Sequence, residues 1–231
     1  MGKRISHSLL DRWLTLPVKA RYEWFHLSRR LPPEAIVVFG HVCAIVAAVG
    51  FAFSGRFWWG GVLAAAGVTL NHLADVLDGT HARRTGQCRN GGELLDHFLD
   101  PLSFSYYLVG LCVAAGRLDL AVAAVICLYA TAVLTNIKAK LIGEFTLSRF
   151  GPTEFKTLLV LFGLVQAGLS LASAPLVQPA TAAIWFITVL LAVGIVQLLV
   201  NLVRAIFEVN RHGAAPDTTE WETSAGGAPE P

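Results

Sequence analysis

Charged residues are scarce in this chain of 231 residues. Asp, Glu, Lys and Arg together make up 15% of it, and apolar residues make up 55%. An ordinary soluble domain carries roughly 25% charged residues. The apolar residues also lie in long blocks rather than in an alternating pattern. This composition argues against a soluble domain and predicts an all-α integral membrane protein.

Other features are scarce as well. The four cysteines include no CxxC pair, so neither a zinc site nor a disulfide framework is indicated. The first thirty residues contain seven Lys and Arg residues and no uninterrupted apolar segment, so we expect no signal peptide. The net charge of +2 is too small to suggest a nucleic-acid partner.

Six apolar stretches are long enough to cross a bilayer as helices, which takes about 20 residues each. They lie near 35–54, 57–77, 95–115, 118–138, 155–175 and 181–205. Residues 1–32 mix Leu and Trp with Arg and Lys, which is typical of an amphipathic helix on the membrane surface. Residues 33–210 then form the six-helix domain. Residues 211–231, rich in Gly, Ala, Pro and Thr, are predicted to be disordered.

Lys and Arg are distributed unequally between the two sides of the predicted spans. Sixteen lie on the side of the N-terminus, whereas only Arg56 and Arg117 lie on the other side. Cytoplasmic loops carry an excess of positive charge. We therefore expect both termini, and the loops after the second and fourth spans, to be cytoplasmic.

Four aspartates stand out in the second and third spans, because charged groups at membrane depth are costly and usually mark function. Asp75 and Asp78 are three residues apart, and Asp96 and Asp100 are four apart, so each pair shares one helix face. A short connection makes the two helices neighbours, which lets the pairs converge. Clustered carboxylates repel one another unless a cation is bound, and all-oxygen ligands favour Mg²⁺ or Mn²⁺. Four carboxylates can hold two such ions.

Small residues and one arginine lie between the two pairs. Gly79 and Ala82 are one helical turn apart. Their small size leaves the backbone on one face of the helix accessible to a ligand. Gly92 does the same on the helix of the second pair. Arg83 offers a planar guanidinium suited to a phosphate or diphosphate. The pattern predicts an acidic metal site beside a basic seat for a diphosphate.

These eight positions, from Asp75 to Asp100, form the pattern DxxDGxxARx₈Gx₃Dx₃D. Every position and spacing resembles the signature of the CDP-alcohol phosphotransferase family, and the six spans extend the resemblance to nearly the whole chain. Members of this family move a substituted phosphate from a CDP-linked donor to an alcohol and release CMP. The resemblance implies a membrane enzyme of phospholipid synthesis, Mg²⁺ or Mn²⁺ as cofactor, one lipid substrate and a homodimer.

The resemblance also implies a role for each position of the signature. The four aspartates would bind two metal ions, and Asp100 would in addition accept the proton of the acceptor hydroxyl. Contacts to the CDP moiety are implied for Asp75, Asp78, Gly79, Ala82, Arg83 and Gly92.

The branch of the family is less sharply indicated. The sequences around the aspartates, DGTHARRTG and GELLDHFLD, are similar to those of the choline/ethanolamine phosphotransferases. They include His97, which is a candidate acceptor-binding residue. Many members begin the first span with Pro-Asn-x-Ile/Leu-Thr-x-x-Gly, whereas Glu34 and Val37 stand at the Asn and Thr positions here. Two substrate pairs stay open, namely CDP-diacylglycerol with a small polar alcohol and a CDP-amino-alcohol with diacylglycerol.

A second polar cluster surrounds the start of the fifth span. Glu154 is a candidate for recognising the acceptor. The lysines of this cluster, Lys138, Lys140 and Lys156, are expected to anchor the helix ends at the membrane interface.

Two other functions use aspartate-rich metal sites. An intramembrane prenyltransferase needs two such motifs far apart and more spans, and this chain has one such region. A divalent-cation transporter predicts acids near the middle of its spans, whereas these acids cluster towards one end. Both are alternatives to the phosphotransferase.

Overall fold

The computed structural model describes residues 3–147, 150–216, 218 and 219, and long helices dominate it. In chain order the elements are β1 (Lys3–Ser6), α1 (Thr15–Ala20), a 3₁₀ turn (Tyr22–Phe25), α2 (Pro33–Ser54), α3 (Trp58–Thr85), α4 (Asn90–Ala115), α5 (Leu118–Ile142), β2 (Glu144–Leu147), α6 (Pro152–Leu171) and α7 (Pro179–His212). The six helices α2 to α7 are each long and apolar enough to cross a membrane. They confirm the six predicted spans, and the chain is an integral membrane protein.

The N-terminal region differs from the expected surface helix. Of residues 3–32, which the structure describes, only Thr15–Ala20 is α-helical, and β1 pairs in parallel with β2, with Lys3 opposite Glu144. The Ser6 hydroxyl donates to Asp11 at 2.7 Å, and this hydrogen bond spans the irregular backbone of residues 7–10. Exposed tryptophans remain in this region, as expected of residues at a membrane interface.

Helices α2, α3 and α4 pack closely because glycines stand at their crossings. A Cβ atom at Gly50 would lie 2.5 Å from the backbone nitrogen of Ala64, and one at Gly110 would lie 2.3 Å from the carbonyl oxygen of Ala48. No larger side chain fits at such distances. Small residues at helix contacts are the usual means by which membrane helices associate.

The connection between α3 and α4 brings the two aspartate pairs to the same end of the bundle. Gly86 ends α3 in the left-handed conformation (φ 72°), which residues with a side chain rarely adopt. The chain turns at once, and α4 begins at Asn90. Asp75 and Asp78 near the end of α3 thereby face Asp96 and Asp100 near the start of α4.

The predicted disordered tail, residues 211–231, falls largely on residues 217 and 220–231, which lie outside the described part of the chain. Its first two residues, Arg211 and His212, are helical instead, because α7 continues to His212, beyond the predicted end of the last span. The backbone N–H of Ala214 then donates to the carbonyl oxygen of Leu141 at 2.9 Å, which ties the end of α7 to the end of α5.

Candidate active site

The four aspartates of the signature line one small cleft between α2, α3 and α4. Asp75, Asp78 and Asp96 each offer a carboxylate oxygen, and these three oxygens lie within 4.8 Å of one another. Asp78 is buried, and Asp100 lines the same cleft one helical turn after Asp96. The backbone N–H of Gly79 donates a short hydrogen bond to Asp78. The donor set is all oxygen and crowded enough to suit a hard divalent cation.

The two glycines of the signature, Gly79 and Gly92, leave space beside the aspartates for larger side chains. A Cβ atom at Gly79 would lie 3.3 Å from the guanidinium of Arg83, so that the arginine lies over the glycine. Arg83 is exposed at the end of α3. A Cβ atom at Gly92 would lie 3.4 Å from a carboxylate oxygen of Glu34. The two glycines therefore leave room for one charged side chain each.

Two residues of the first span that depart from the usual family pattern, Glu34 and Val37, lie at the candidate active site. Val37 lines the aspartate cleft. Oε1 of Glu34 lies 3.7 Å from Arg89, and its Oε2 is buried without a hydrogen-bond partner among the described residues. The Glu34 carboxylate is thus positioned at the start of α2, above Gly92.

Lys156 on α6 is the residue of this site that the sequence did not reveal. We expected an interface anchor, but its side chain is 2% exposed and Nζ donates to Oδ2 of Asp75 at 2.8 Å. Nζ also lies 3.9 Å from Oδ1 of Asp100 and 5.3 Å from the centre of the Phe104 ring. One signal could have revealed it, because four clustered acids in an apolar setting call for a cation nearby. By contrast, Lys138 pairs with Glu208 at 2.6 Å.

Glu154, two residues before Lys156, holds the N-terminal region against the start of α6. Its Oε1 accepts hydrogen bonds from the Ser8 hydroxyl at 2.6 Å and from the backbone N–H groups of Leu9 and Leu10 at 2.7 and 3.0 Å. Its Oε2 accepts from the backbone N–H of Gly151 at 2.9 Å. Oε1 therefore joins distant parts of the chain, and Oε2 holds the backbone at the start of α6.

Asp11 makes a second link in the same place. It accepts hydrogen bonds from the hydroxyls of Thr153 at 2.6 Å, Ser6 at 2.7 Å and Thr15 at 3.0 Å. Burial raises the pKa of Asp11, but the hydroxyl donors outweigh it and hold that pKa below its ordinary value. The charged form of Asp11 is the one that anchors the segment.

The other candidate of the signature region, His97, turns its ring towards β2. The ring meets that of Phe145 edge-on with centroids 5.3 Å apart, and Nε2 lies 3.8 Å from Glu93. His41, Asn71 and Ser103 also line the aspartate cleft, although no sequence pattern singles them out as a group.

The N-terminal region also contacts α3 just after the first aspartate pair. Nε2 of the buried His81 donates to the carbonyl oxygen of Leu31 at 2.9 Å, which leaves Nδ1 to accept from the Tyr22 hydroxyl at 2.5 Å. This pairing fixes the backbone before α2 against the helix that carries Asp75 and Asp78.

Comparison with characterised proteins finds relatives along most of the chain. A phosphatidylinositol phosphate synthase of Mycolicibacterium smegmatis is 34% identical over 185 residues, which are 78% of this chain and 79% of the relative. A synthase of the same name from Streptomyces avermitilis is 27% identical and covers 87% of this chain and 84% of its own. Cholinephosphotransferase 1 of Gallus gallus is 32% identical, but over 46% of this chain and 33% of its own.

The family-level comparison agrees with the signature. Residues 30–196 match the CDP-alcohol phosphatidyltransferase family, and this range includes α2 to α6 and both aspartate pairs. The resemblance stated from the sequence is confirmed. The chain belongs to the CDP-alcohol phosphatidyltransferase family.

Proposed function

We propose that the chain is a membrane phosphotransferase that moves a substituted phosphate from a CDP-linked donor to an alcohol and releases CMP. The observation that carries the proposal is the convergence of the four aspartates on one cleft, with oxygens of three of them within 4.8 Å of one another. Membership of the family favours this function over the two alternatives, the cation transporter and the prenyltransferase.

The aspartates fit the divalent cation that the family uses. Carboxylate oxygens are the ligands that Mg²⁺ and Mn²⁺ prefer, and no sulfur or imidazole ligand belongs to the group of Asp75, Asp78 and Asp96. When bound, the cation neutralises negative charge on the diphosphate and on departing CMP.

Asp100 is the proposed general base. In the transfer, the acceptor oxygen forms a bond to the phosphorus that carries the donor's substituent, the bond from this phosphorus to CMP breaks, and CMP leaves with the electron pair. The acceptor's proton passes to the carboxylate of Asp100. This carboxylate lines the cleft, and its Oδ1 lies 3.9 Å from the ammonium nitrogen of Lys156.

We assign the CDP moiety to the α3 side of the cleft. Arg83 lies over Gly79 at the end of α3, where its guanidinium can meet a diphosphate. Ala82 and Gly92 would keep the approach open, and Asp75 and Asp78 would face the diphosphate through the cation. Glu34 stands beside Gly92 at the position where many members carry asparagine, so we expect it to affect the choice of donor.

The leading donor is CDP-diacylglycerol, with a small polar alcohol as acceptor. Relatives named phosphatidylinositol phosphate synthase match this chain over about four fifths of its length, which supports a phosphatidyl donor. A CDP-amino-alcohol with diacylglycerol is the second candidate, because cholinephosphotransferase 1 of Gallus gallus is 32% identical over 46% of this chain. His97 and Glu154 remain proposed contacts for the acceptor.

Two further properties belong to this proposal. The excess of Lys and Arg on one side supports a cytoplasmic site and cytoplasmic termini, although Arg149, one of the residues counted, lies outside the described part of the chain. The homodimer follows from the family resemblance and is tested by the mass of the detergent-solubilised protein.

The donor class is tested by CMP release from purified protein with Mg²⁺. CDP-diacylglycerol with polar alcohols is compared with CDP-choline or CDP-ethanolamine with diacylglycerol. We expect acceptor-dependent CMP release with the first pair. Release with the second pair alone would leave the reaction class intact and reverse the assignment of the donor. No release with any pair, from folded protein supplied with metal, would contradict the proposed function.

A further inference from the structure

The ammonium group of Lys156 lies among the aspartates rather than beside them. Its side chain is 2% exposed, Nζ is 2.8 Å from Oδ2 of Asp75, and it is 3.9 Å from Oδ1 of Asp100. The ring of Phe104 closes another side at 5.3 Å. A buried ammonium held in this way is a fixed positive charge between one aspartate of α3 and one of α4.

The carboxylates fall into two sets around this charge. Among the described residues, the oxygens close enough to share one cation belong to Asp75, Asp78 and Asp96, and Asp100 is outside this group. The cleft that all four line has a volume of about 10 Å³, which is roughly the room of one water molecule. The geometry thus offers one group of three carboxylates for a cation and, next to that group, the ammonium.

A second divalent ion would compete with this ammonium for the same position. An ion bound to Asp100, at about 2.0–2.1 Å from its oxygen for Mg²⁺, would lie close to the ammonium that separates Asp100 from Asp75. The ammonium already occupies the space between these two residues, and like charges at such separations repel strongly in a protein interior. Lys156 is buried, so its charge cannot move into water without rearrangement of α6.

We propose that Lys156 takes the place of a second metal ion, so that each chain holds one divalent cation together with one fixed ammonium. The inference deepens the proposed function and depends on it for the role of the bound cation. Asp100 then faces the ammonium rather than a metal ion, and its oxygens stay available to the acceptor hydroxyl. This differs from the two ions that the family resemblance implies.

The test counts metal ions on the full-length protein in detergent. The probe is Mn²⁺ alone, measured by equilibrium dialysis and by electron paramagnetic resonance, which distinguishes an isolated Mn²⁺ from an exchange-coupled pair. The variants are Lys156→Met, which keeps the length of the side chain without its charge, and Lys156→Gln, in case the first fails to fold. Lys138→Met is the matched control, because Lys138 pairs with Glu208 away from the aspartates.

We expect one uncoupled Mn²⁺ per chain in the wild type and in Lys138→Met, and a second, coupled Mn²⁺ in the Lys156 variants. Two coupled ions in the wild type would overturn the inference, and so would a single ion in every folded variant or no bound ion at all. CMP release is measured on the same samples. Two ions with CMP release would overturn the inference alone, whereas one ion without CMP release from any donor would overturn the proposed function alone.

Discussion

Gly61 of α3 and Gly163 of α6 lie against each other where these two helices cross. A Cβ atom at Gly61 would lie 2.3 Å from the carbonyl oxygen of Gly163. The close crossing lets α6 run along α3, and this places Lys156 within hydrogen-bonding distance of Asp75. The close packing of these two glycines therefore belongs to the helix contact that positions the Lys156 ammonium in the cleft.

The crossing is tested by Gly61→Ala. The added methyl group has no space and must push α3 and α6 apart, which for overpacked cores costs about 1–3 kcal/mol. We expect a lower melting temperature in detergent and a weaker CMP-releasing activity, because the contact between Lys156 and Asp75 is lost. Gly168→Ala on α6 is the control, since a Cβ atom there would have no neighbour within 4 Å. Equal melting temperatures for the two variants would contradict the account of the crossing.

Glu154→Gln tests the attachment of the N-terminal region. The amide removes the charge that Ser8, Leu9 and Leu10 bind, and hydrogen bonds to charged groups contribute about 1.5–3 kcal/mol each. We expect trypsin to cut after Arg12 at least about tenfold faster than in the wild type, with Glu208→Gln as control. Unchanged cleavage with a raised KM for the acceptor would instead favour acceptor recognition by Glu154.

Arg83→Gln tests the seat for the diphosphate, and Arg84→Gln is its matched control. Arg83 lies over Gly79, whereas its neighbour Arg84 is paired with Glu23 outside the cleft. Loss of a charge-assisted contact of about 1.5–3 kcal/mol raises the KM for the CDP-linked donor roughly 10- to 100-fold. We expect this in Arg83→Gln and a change below about twofold in Arg84→Gln. Equal effects would show that the end of α3 acts only through its total charge.

Removal of divalent metal tests the cofactor. We expect EDTA to abolish CMP release and Mg²⁺ or Mn²⁺ to restore it, because the three grouped carboxylates need a cation to accept a diphosphate. The far-UV circular dichroism spectrum should stay unchanged, since Lys156 still balances part of the negative charge. Full activity in EDTA would contradict a metal-dependent transfer.

The membrane spans and the signature were predictable because both depend on residues that are close together along the chain. Long apolar runs gave six helices, and the spacing of three and four residues placed each aspartate pair on one face. The ends of the helices were predicted less accurately. The second span was expected to end near residue 77, whereas α3 continues through the polar residues that follow and ends at Thr85, before Gly86. Pro152 begins α6 three residues before the predicted start.

The contacts that join distant segments were not predictable. Glu154 binds residues about 145 positions earlier in the chain, and Lys156 meets an aspartate 81 positions away. No local pattern distinguishes these two residues from ordinary polar groups at a helix start. Their roles depend on how α6 packs against α3 and on where β1 pairs, which only the assembled fold determines.

The central claim, transfer of a phosphate group at the aspartate cleft, is tested most directly by acceptor-dependent CMP release from Asp100→Asn. The variant keeps the size of the side chain and removes the proposed base, whose loss costs roughly 100- to 10,000-fold in rate. Asp119→Asn is the control, because Asp119 pairs with Arg117 at the opposite end of the bundle. We expect CMP release from the wild type and Asp119→Asn, and a loss of at least about 100-fold in Asp100→Asn. Wild-type rates in Asp100→Asn would contradict it.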